Sequence, residues 1–407
     1  MSAITKPLVL DETVQALNHL IAHQNAAIDL LASDKRASLA TNMTEIAVLA
    51  KNGELLEVMD YGDKISTAWD DGETHYTPEM NLCHESDELL EDGETVHGVF
   101  FEWDKTTPFG VPFDEPEAIY YFDGTEGAGD FYITIGIAYG TGWVANEHIH
   151  FTLTEAPSAD DQLVINCGTD AKNDPTNGRT WNVYAKGSPE SKQSGTTSNS
   201  ATGTNLGTIG ATSEHATNGR LNAISRVVYG YNRWSQSGLR QYLNSDKVAG
   251  TYWTAQNPWD RPSAIVATKN GFLYGYEEDV KAHFKPIRVV TVACNADNNE
   301  EDVTYDRVFL SSLEQMYCVP QLSGKEGAYW EYYKRLLGRT SPAPTSATYT
   351  RLIKYALNAP TSAQHCFRRS ANRSTAHNVW FVGASGYVTT YGAYYGCRCA
   401  PSVFISE

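Results

Sequence analysis

Two histidines, His148 and His150, stand one residue apart in the run HIHFTLTE. Residues two apart on a strand point to the same face, so both imidazoles can reach a single metal ion. No third ligand of suitable kind follows. Two ligands rarely hold a metal against water, and the pair reads better as a strand edge. Cys397 and Cys399 flank Arg398 near the C-terminus, with Cys366 as a third thiol within reach. Such thiols suit Cu(I), Zn²⁺ or redox pairing, yet free cysteine is also among the most buried residue types, and the packing role is favoured. The acidic loop from Asp297 to Asp302 offers oxygen ligands for Ca²⁺ but lacks the alternating spacing and central glycine of an EF-hand, and reads as a solvated loop. Gly383-Ala384-Ser385-Gly386-Tyr387 has Tyr where a nucleophile elbow needs Gly, and reads as a hairpin turn. There is no phosphate loop, no GxGxxG and no HExxH. The expectation is a non-enzymatic chain without cofactor or bound metal.

The tail from Cys366 to Ile405 carries chemistry of another kind. Val379, Phe381 and Val388 alternate with Asn378, Trp380, Val382, Tyr387, Thr389 and Tyr391. Alternation on a strand buries the first set and exposes the second. With Arg368, Arg369, Asn372, Arg373, His377, Tyr394 and Tyr395 nearby, that face combines rigid aromatics with adaptable hydrogen-bonding groups, the chemistry of a binding surface. The plainer alternative is that tyrosines and tryptophan follow strand propensity and cap a core. The binding face is favoured.

The elements that must carry these residues fall in order along 407 residues. Residues 1–56 read as a helical assembly segment. Val14, Leu17, Ile21, Ile28 and Leu31 occupy heptad a and d positions, Gln24 fills one d position, and Asp11 is the N-cap. A second patch, Ile46, Leu49, Leu55 and Leu56, is interrupted at Asn52-Gly53. Residues 57–186 read as an antiparallel β-sandwich, from runs such as HGVFFEW, DFYITIGIAYG and RTWNVYA between Gly, Pro and Asp turns. Residues 187–218, rich in Ser, Thr, Gly and Asn, read as a linker or long loop. Residues 219–407 read as a single α+β domain. It holds a helix at 233–246 with Leu239 and Leu243 on one side, a strand at 283–294, a strand leading into a helix at 307–317, and a hairpin at 378–393. No run spans a bilayer, the N-terminus lacks a signal-peptide pattern, and seven scattered cysteines suit a reducing compartment. The formal charge of −18 is uneven, with 31 acidic and 6 basic residues in 1–165 and 18 and 25 in 166–407. The acidic part repels nucleic acid, and the mildly basic part is a weak field for it.

The segments Ser237 to Asn244, Gly271 to Gly275, Lys285-Pro286, Arg307 to Glu314, Arg368 to Ser370 and Gly396 to Val403 occur in an order that resembles the C-type-lectin-like domains of formylglycine-generating-enzyme type. Such domains are found in surface proteins of gut bacteria and their phages. The resemblance covers about residues 219–407; Cys399 stands where that family usually has Pro. Similar domains are the variable proteins of diversity-generating retroelements. By that resemblance Val379, Phe381, Gly386 and Val388 are scaffold, and Trp380, Val382, Tyr387, Thr389, Tyr391, Tyr394 and Tyr395 are diversified positions. The enzymes of the family bind Cu(I) through paired cysteines, but here Cys397 and Cys399 lie in the closing segment and no substrate groove is legible. The resemblance implies a phage fibre or receptor-binding protein on the virion surface, made in the host cytoplasm and homotrimeric. It would meet other virion proteins through its N-terminal part and a host-surface protein or glycan through its C-terminal domain, with no nucleic-acid partner and no membrane insertion. Capsid decoration and a metal-dependent oxidase or sugar-modifying module are the alternatives.

Overall fold

The strands Glu79–Leu89 and Thr95–Trp103 pair antiparallel across a turn in which Gly93 takes a φ of +88°, a conformation that favours glycine. On the far side of Thr95–Trp103 lies the last strand of the chain, Ser402–Ile405, with Ser402 opposite Glu102 and Phe404 opposite Phe100. Val308–Phe309 extends the sheet beyond it, and Lys64–Ser66 closes the other edge, giving five antiparallel strands. A computed structural model supplies these coordinates; it describes residues 14–24, 42–135, 146–166, 178–200, 203–204, 207–209, 226, 229–257 and 260–407.

Aromatic packing explains why strands so distant in sequence meet. Phe100 lies 5.0 Å from Phe404 and 5.2 Å from Trp330, and Trp69 meets Trp103 edge-on at 5.3 Å, all essentially buried. Each such side chain removed from water contributes roughly 1.5–3 kcal/mol. Helix Met43–Asn52 covers the same sheet. Asn42 caps it by accepting the Glu45 N–H at 3.1 Å, and Gly53 ends it in the left-handed region. Met43, Ile46, Ala47 and Ala50 are buried in the sheet's own core. This part of the expected assembly segment therefore packs on its own chain; the sheet it covers is completed by residues far downstream, which local reading could not supply. Residues 14–24 are helical, with Val14, Leu17, Leu20 and Ile21 between 45% and 55% exposed. Asp11, Ile28 and Leu31 lie outside the described residues.

A second core forms from two further four-stranded sheets. One has the order Ser191–Thr196, Thr180–Tyr184, Gln162–Asn166, Tyr120–Tyr121; the other runs Ser198–Ser200, His148–Leu153, Gly129–Ile135, Thr208–Ile209. Phe122, Phe131, Ile149, Phe151, Leu163, Trp181 and Val183 fill one buried cluster. Within the segment 187–218, expected as a linker or long loop, the described strands Ser191–Thr196, Ser198–Ser200 and Thr208–Ile209 are outer strands of the two sheets. Outer strands need little apolar surface, so Ser, Thr and Gly serve there. Gly195 is required by contact: a Cβ would stand 2.6 Å from the Trp181 ring.

The expected 57–186 unit does not share one core. Residues up to Phe113 join the first core together with 234–405, while Ile119 to Val183 build the second, joined by Tyr229. The second unit is thus inserted between two halves of the first, and the acidic excess of residues 1–165 spans both. The chain is mostly β, in several small sheets with few helices. The helix expected after Val308–Phe309 is a turn, because Tyr317 has a φ of +58° and Ser312 and Gln315 exchange side-chain bonds with each other's backbone. None of the described helices is long and apolar enough to cross a membrane.

Candidate binding face

The final hairpin forms as the alternation predicts. Asn378–Val382 pairs with Val388–Gly392, placing Val379 opposite Tyr391 and Phe381 opposite Thr389. Its turn is closed by Gly383 N–H to Tyr387 O at 2.8 Å. Gly386 sits at φ +84°, where a Cβ would press within 2.5 Å of the Tyr349 carbonyl oxygen. Cys366–Ala371 lies on the other side of Asn378–Val382, and Arg398–Cys399 completes the sheet.

Position within this sheet decides which side chains reach solvent. Asn378–Val382 is an inner strand covered on both faces, so Trp380 is only 6% exposed and Val382 is fully buried along with Val379 and Phe381. Both were expected on the binding face and are corrected here to core residues. Arg368 and Arg369 are corrected likewise. Successive residues of Cys366–Ala371 point to opposite sides, and all six are buried. Arg368 reaches a buried carboxylate, Glu102, at 3.2 Å, donates to Ser311 Oγ at 2.6 Å and meets Tyr333 Oη. Lys354 also pairs with Glu102 at 3.0 Å, and the Tyr333 hydroxyl donates to Glu102. Burial alone would raise the Glu102 pKa, but Lys354 and Arg368 reverse this and pull it down to about 2. On the opposite side Arg369 donates to the carbonyls of Leu310 and Glu326 and to Gln315 Oε1.

Asn372 and Arg373 are half-buried and tethered. Asn372 Oδ1 accepts the Ser374 N–H at 2.9 Å, and Arg373 donates to Asn299 Oδ1 and the Gln321 carbonyl, both at 2.9 Å. The His377 ring packs against Tyr229 at 5.1 Å, and burial pushes its pKa down to about 4.

What remains at the surface is an aromatic ladder at the end of the outer strand Val388–Gly392 and in the turn after it. Tyr391 stacks on Tyr395 with centroids 3.9 Å apart and planes 18° from parallel, and Tyr395 meets Tyr394 at 4.2 Å. His365 stacks on Tyr391 at 5.9 Å, while Phe381 supports Tyr391 from below at 5.1 Å. Tyr391, Tyr394 and Tyr395 are half-buried, Thr389 is half-exposed beside them, and Tyr387 at the turn is 39% exposed. Tyr394 also touches Tyr229 at 5.6 Å, tying the ladder to the seam between the two cores. His365 was missed by sequence reading; it precedes Cys366–Ala371 without any pattern of its own.

The other candidates resolve structurally. His150 is bound through both ring nitrogens, to Asp130 at 2.8 Å and Ser198 Oγ at 3.0 Å, and stacks on Tyr132; His148 meets Thr134 Oγ1. Cys366 pairs opposite Arg398 in the sheet, so three buried thiols adjoin. Burial raises all three, that of Cys397 up to about 12, which leaves them protonated. The acidic loop is held by cations: Asp297 by Arg226 at 3.0 Å, Glu300 and Asp302 by Arg233, and Glu301 by Lys325 at 2.7 Å. Among the described residues no three His, Cys, Asp or Glu side chains group as a metal site.

Residues 216–405 match the family described as a domain of unknown function, DUF6273. No curated protein and no solved structure matches the chain. The matched range omits Glu79–Leu89 and Thr95–Trp103, although these strands complete the sheet in which residues 402–405 lie.

Proposed function

We propose that the chain is a non-enzymatic recognition protein whose C-terminal unit, of C-type-lectin-like kind, meets its partner through the tyrosine ladder. The observation that carries this reading is the run of stacked rings at Tyr391, Tyr395 and Tyr394, half-exposed at the end of an outer strand and in the turn after it, with Phe381 bracing Tyr391 from below. Tyrosines held rigid by stacking give contact area at little entropic cost. Tyr387 and Thr389 extend the face along the hairpin, and these positions suit diversification because changing them leaves Val379, Phe381 and Val388 untouched. In this reading the two inserted sheets are a β-sandwich acting as a spacer. The exposed apolar side chains of residues 14–24 assist assembly into a trimer and attachment to other proteins of a phage particle. The partner is a host-surface protein or glycan.

The test compares binding of labelled wild-type chain and a Tyr391→Ala/Tyr395→Ala variant to intact host bacterial cells. An interface anchor lost in this way costs about 2 kcal/mol or more, roughly thirtyfold in affinity. Equal binding by a folded variant rejects the face, and capsid decoration becomes the better account.

A further inference from the structure

Between the two cores lies a cleft of about 350 Å³, lined on one side by Tyr121 and Gln162 and on the other by Trp253, Asn257 and Asp260. It is well separated in chemistry from the tyrosine ladder: its lining is largely apolar, with a few polar groups converging on it. We propose that this cleft binds an organic cation, an alkylammonium or guanidinium group held by Asp260 and Gln162 against the rings of Trp253 and Tyr121.

Three observations carry the assignment. The first is an unmet acceptor. Gln162 is 2% exposed, its amide N–H₂ donates to Tyr121 Oη at 3.4 Å, and its Oε1 has no donor. A buried acceptor left so is costly, and a ligand N–H relieves it. The second is the sense of the other polar groups. Asn257 already donates to Glu117 at 3.0 Å and Gln236 at 3.2 Å, and Asp260 takes the Gln256 N–H on one oxygen at 2.8 Å. What the cleft offers a ligand is therefore mostly acceptors, which calls for a donor-rich guest.

The third is charge. Behind Asp260 stand Asp114, Glu115 and Glu117, three more carboxyl groups at the seam. Of the nearby guanidiniums, Arg226 pairs with Asp297, while Arg261 lies over the Tyr184 ring at 3.7 Å and 3.9 Å from Glu115, with its Nε unpartnered. Burial raises Asp260 to about 7, only partly offset by the backbone N–H groups of Gln256 and Arg261 and by the Arg261 guanidinium. Lys186 at the rim is turned to Asp160 at 3.3 Å and is largely exposed, so it screens the entrance weakly. Trp253 and Tyr121 supply the π-faces that attract a desolvated cation.

The probe is n-butylammonium, titrated into the full chain while the indole N–H resonance of Trp253 is followed, that signal being assigned by its loss in Trp253→Phe. Butanol is the neutral match, methyl glucoside tests a saccharide, and a Gly-Lys-Gly peptide compares a protein-borne cation with the free amine. Expected is saturable binding of butylammonium, at least tenfold weaker for butanol, with a tenfold or greater loss in Asp260→Asn. If that variant fails to fold, Gln162→Met is expected to weaken binding about fivefold with the fold intact. Equal response to butanol, preference for methyl glucoside, or no saturable shift overturns the proposal. Tighter binding of the peptide than of butylammonium places the cation on a protein partner; the reverse makes it a small molecule.

Discussion

Arg368 and Tyr391 belong to one small sheet, on strands separated by Asn378–Val382, and by residue type both suit a binding surface. One is wholly buried on a strand covered on both faces; the other is half-exposed on the outer strand. The difference lies in what covers each strand. Arg368 meets Glu102, Ser311 and Tyr333, and shares Glu102 with Lys354 of a separate hairpin, whereas Tyr391 packs on its sheet neighbour Phe381, His365 and a ring of the following turn. The same chemistry is scaffold in one place and surface in the other.

The largest effect is expected where the buried charges are unbalanced. Glu102→Ala leaves Lys354 and Arg368 buried without their anion, and a loss of about 3–5 kcal/mol or failure to fold is expected in urea denaturation. Above pH 4.5 the wild-type Glu102 makes its full contribution; this is lost as pH falls toward about 2, because the unfolded carboxyl protonates first. Trp380→Ala, by deleting a buried ring, is expected to cost about 3 kcal/mol by the same assay, well above any change at Tyr387. An exposed Trp380 would show almost no cost, and the contrast between strands would fail.

The hairpin itself was legible because turn chemistry and alternation agree locally: Val379, Phe381 and Val388 are buried as their period requires. The second covering layer was not legible. Glu102 and Ser311 are 266 and 57 residues away from Arg368, and nothing around Arg368 announces them. The boundary at 57–186 was misplaced for the same reason, since the strand run 97–103 looks like any sandwich strand until Ser402–Ile405 pairs with it. Ser/Thr/Gly outer strands in 187–218 carry no apolar period at all. His365 became part of the candidate face only through its stacking on Tyr391.

A pH titration sharpens the comparison where the ladder meets the second core. His377 stays neutral in the folded protein down to about pH 4, whereas in the unfolded chain it takes a proton below about 6.5. Protonation therefore favours unfolding, and stability is expected to fall by up to about 3 kcal/mol as pH drops from 6.5 to 4. Melting temperature against pH is the readout, and His377→Gln should flatten that interval. A profile unchanged by the substitution would mean that His377 is solvated. The smallest stability effects are expected on the ladder: Tyr391→Ala and Tyr395→Ala each cost about 1 kcal/mol, and Tyr387→Ala less than about 0.5 kcal/mol. A cost at Tyr391 rivalling that at Trp380 would erase the distinction between surface and scaffold.

Tyrosine nitration, mapped by mass spectrometry with and without host cell envelopes, tests the central division most directly. In the free protein Tyr387, Tyr391 and Tyr395 should be modified, while the buried Tyr242 and Tyr333 stay unmodified. Envelopes should then protect Tyr391 and Tyr395. Modification of those two rings that is the same with and without envelopes would contradict the account.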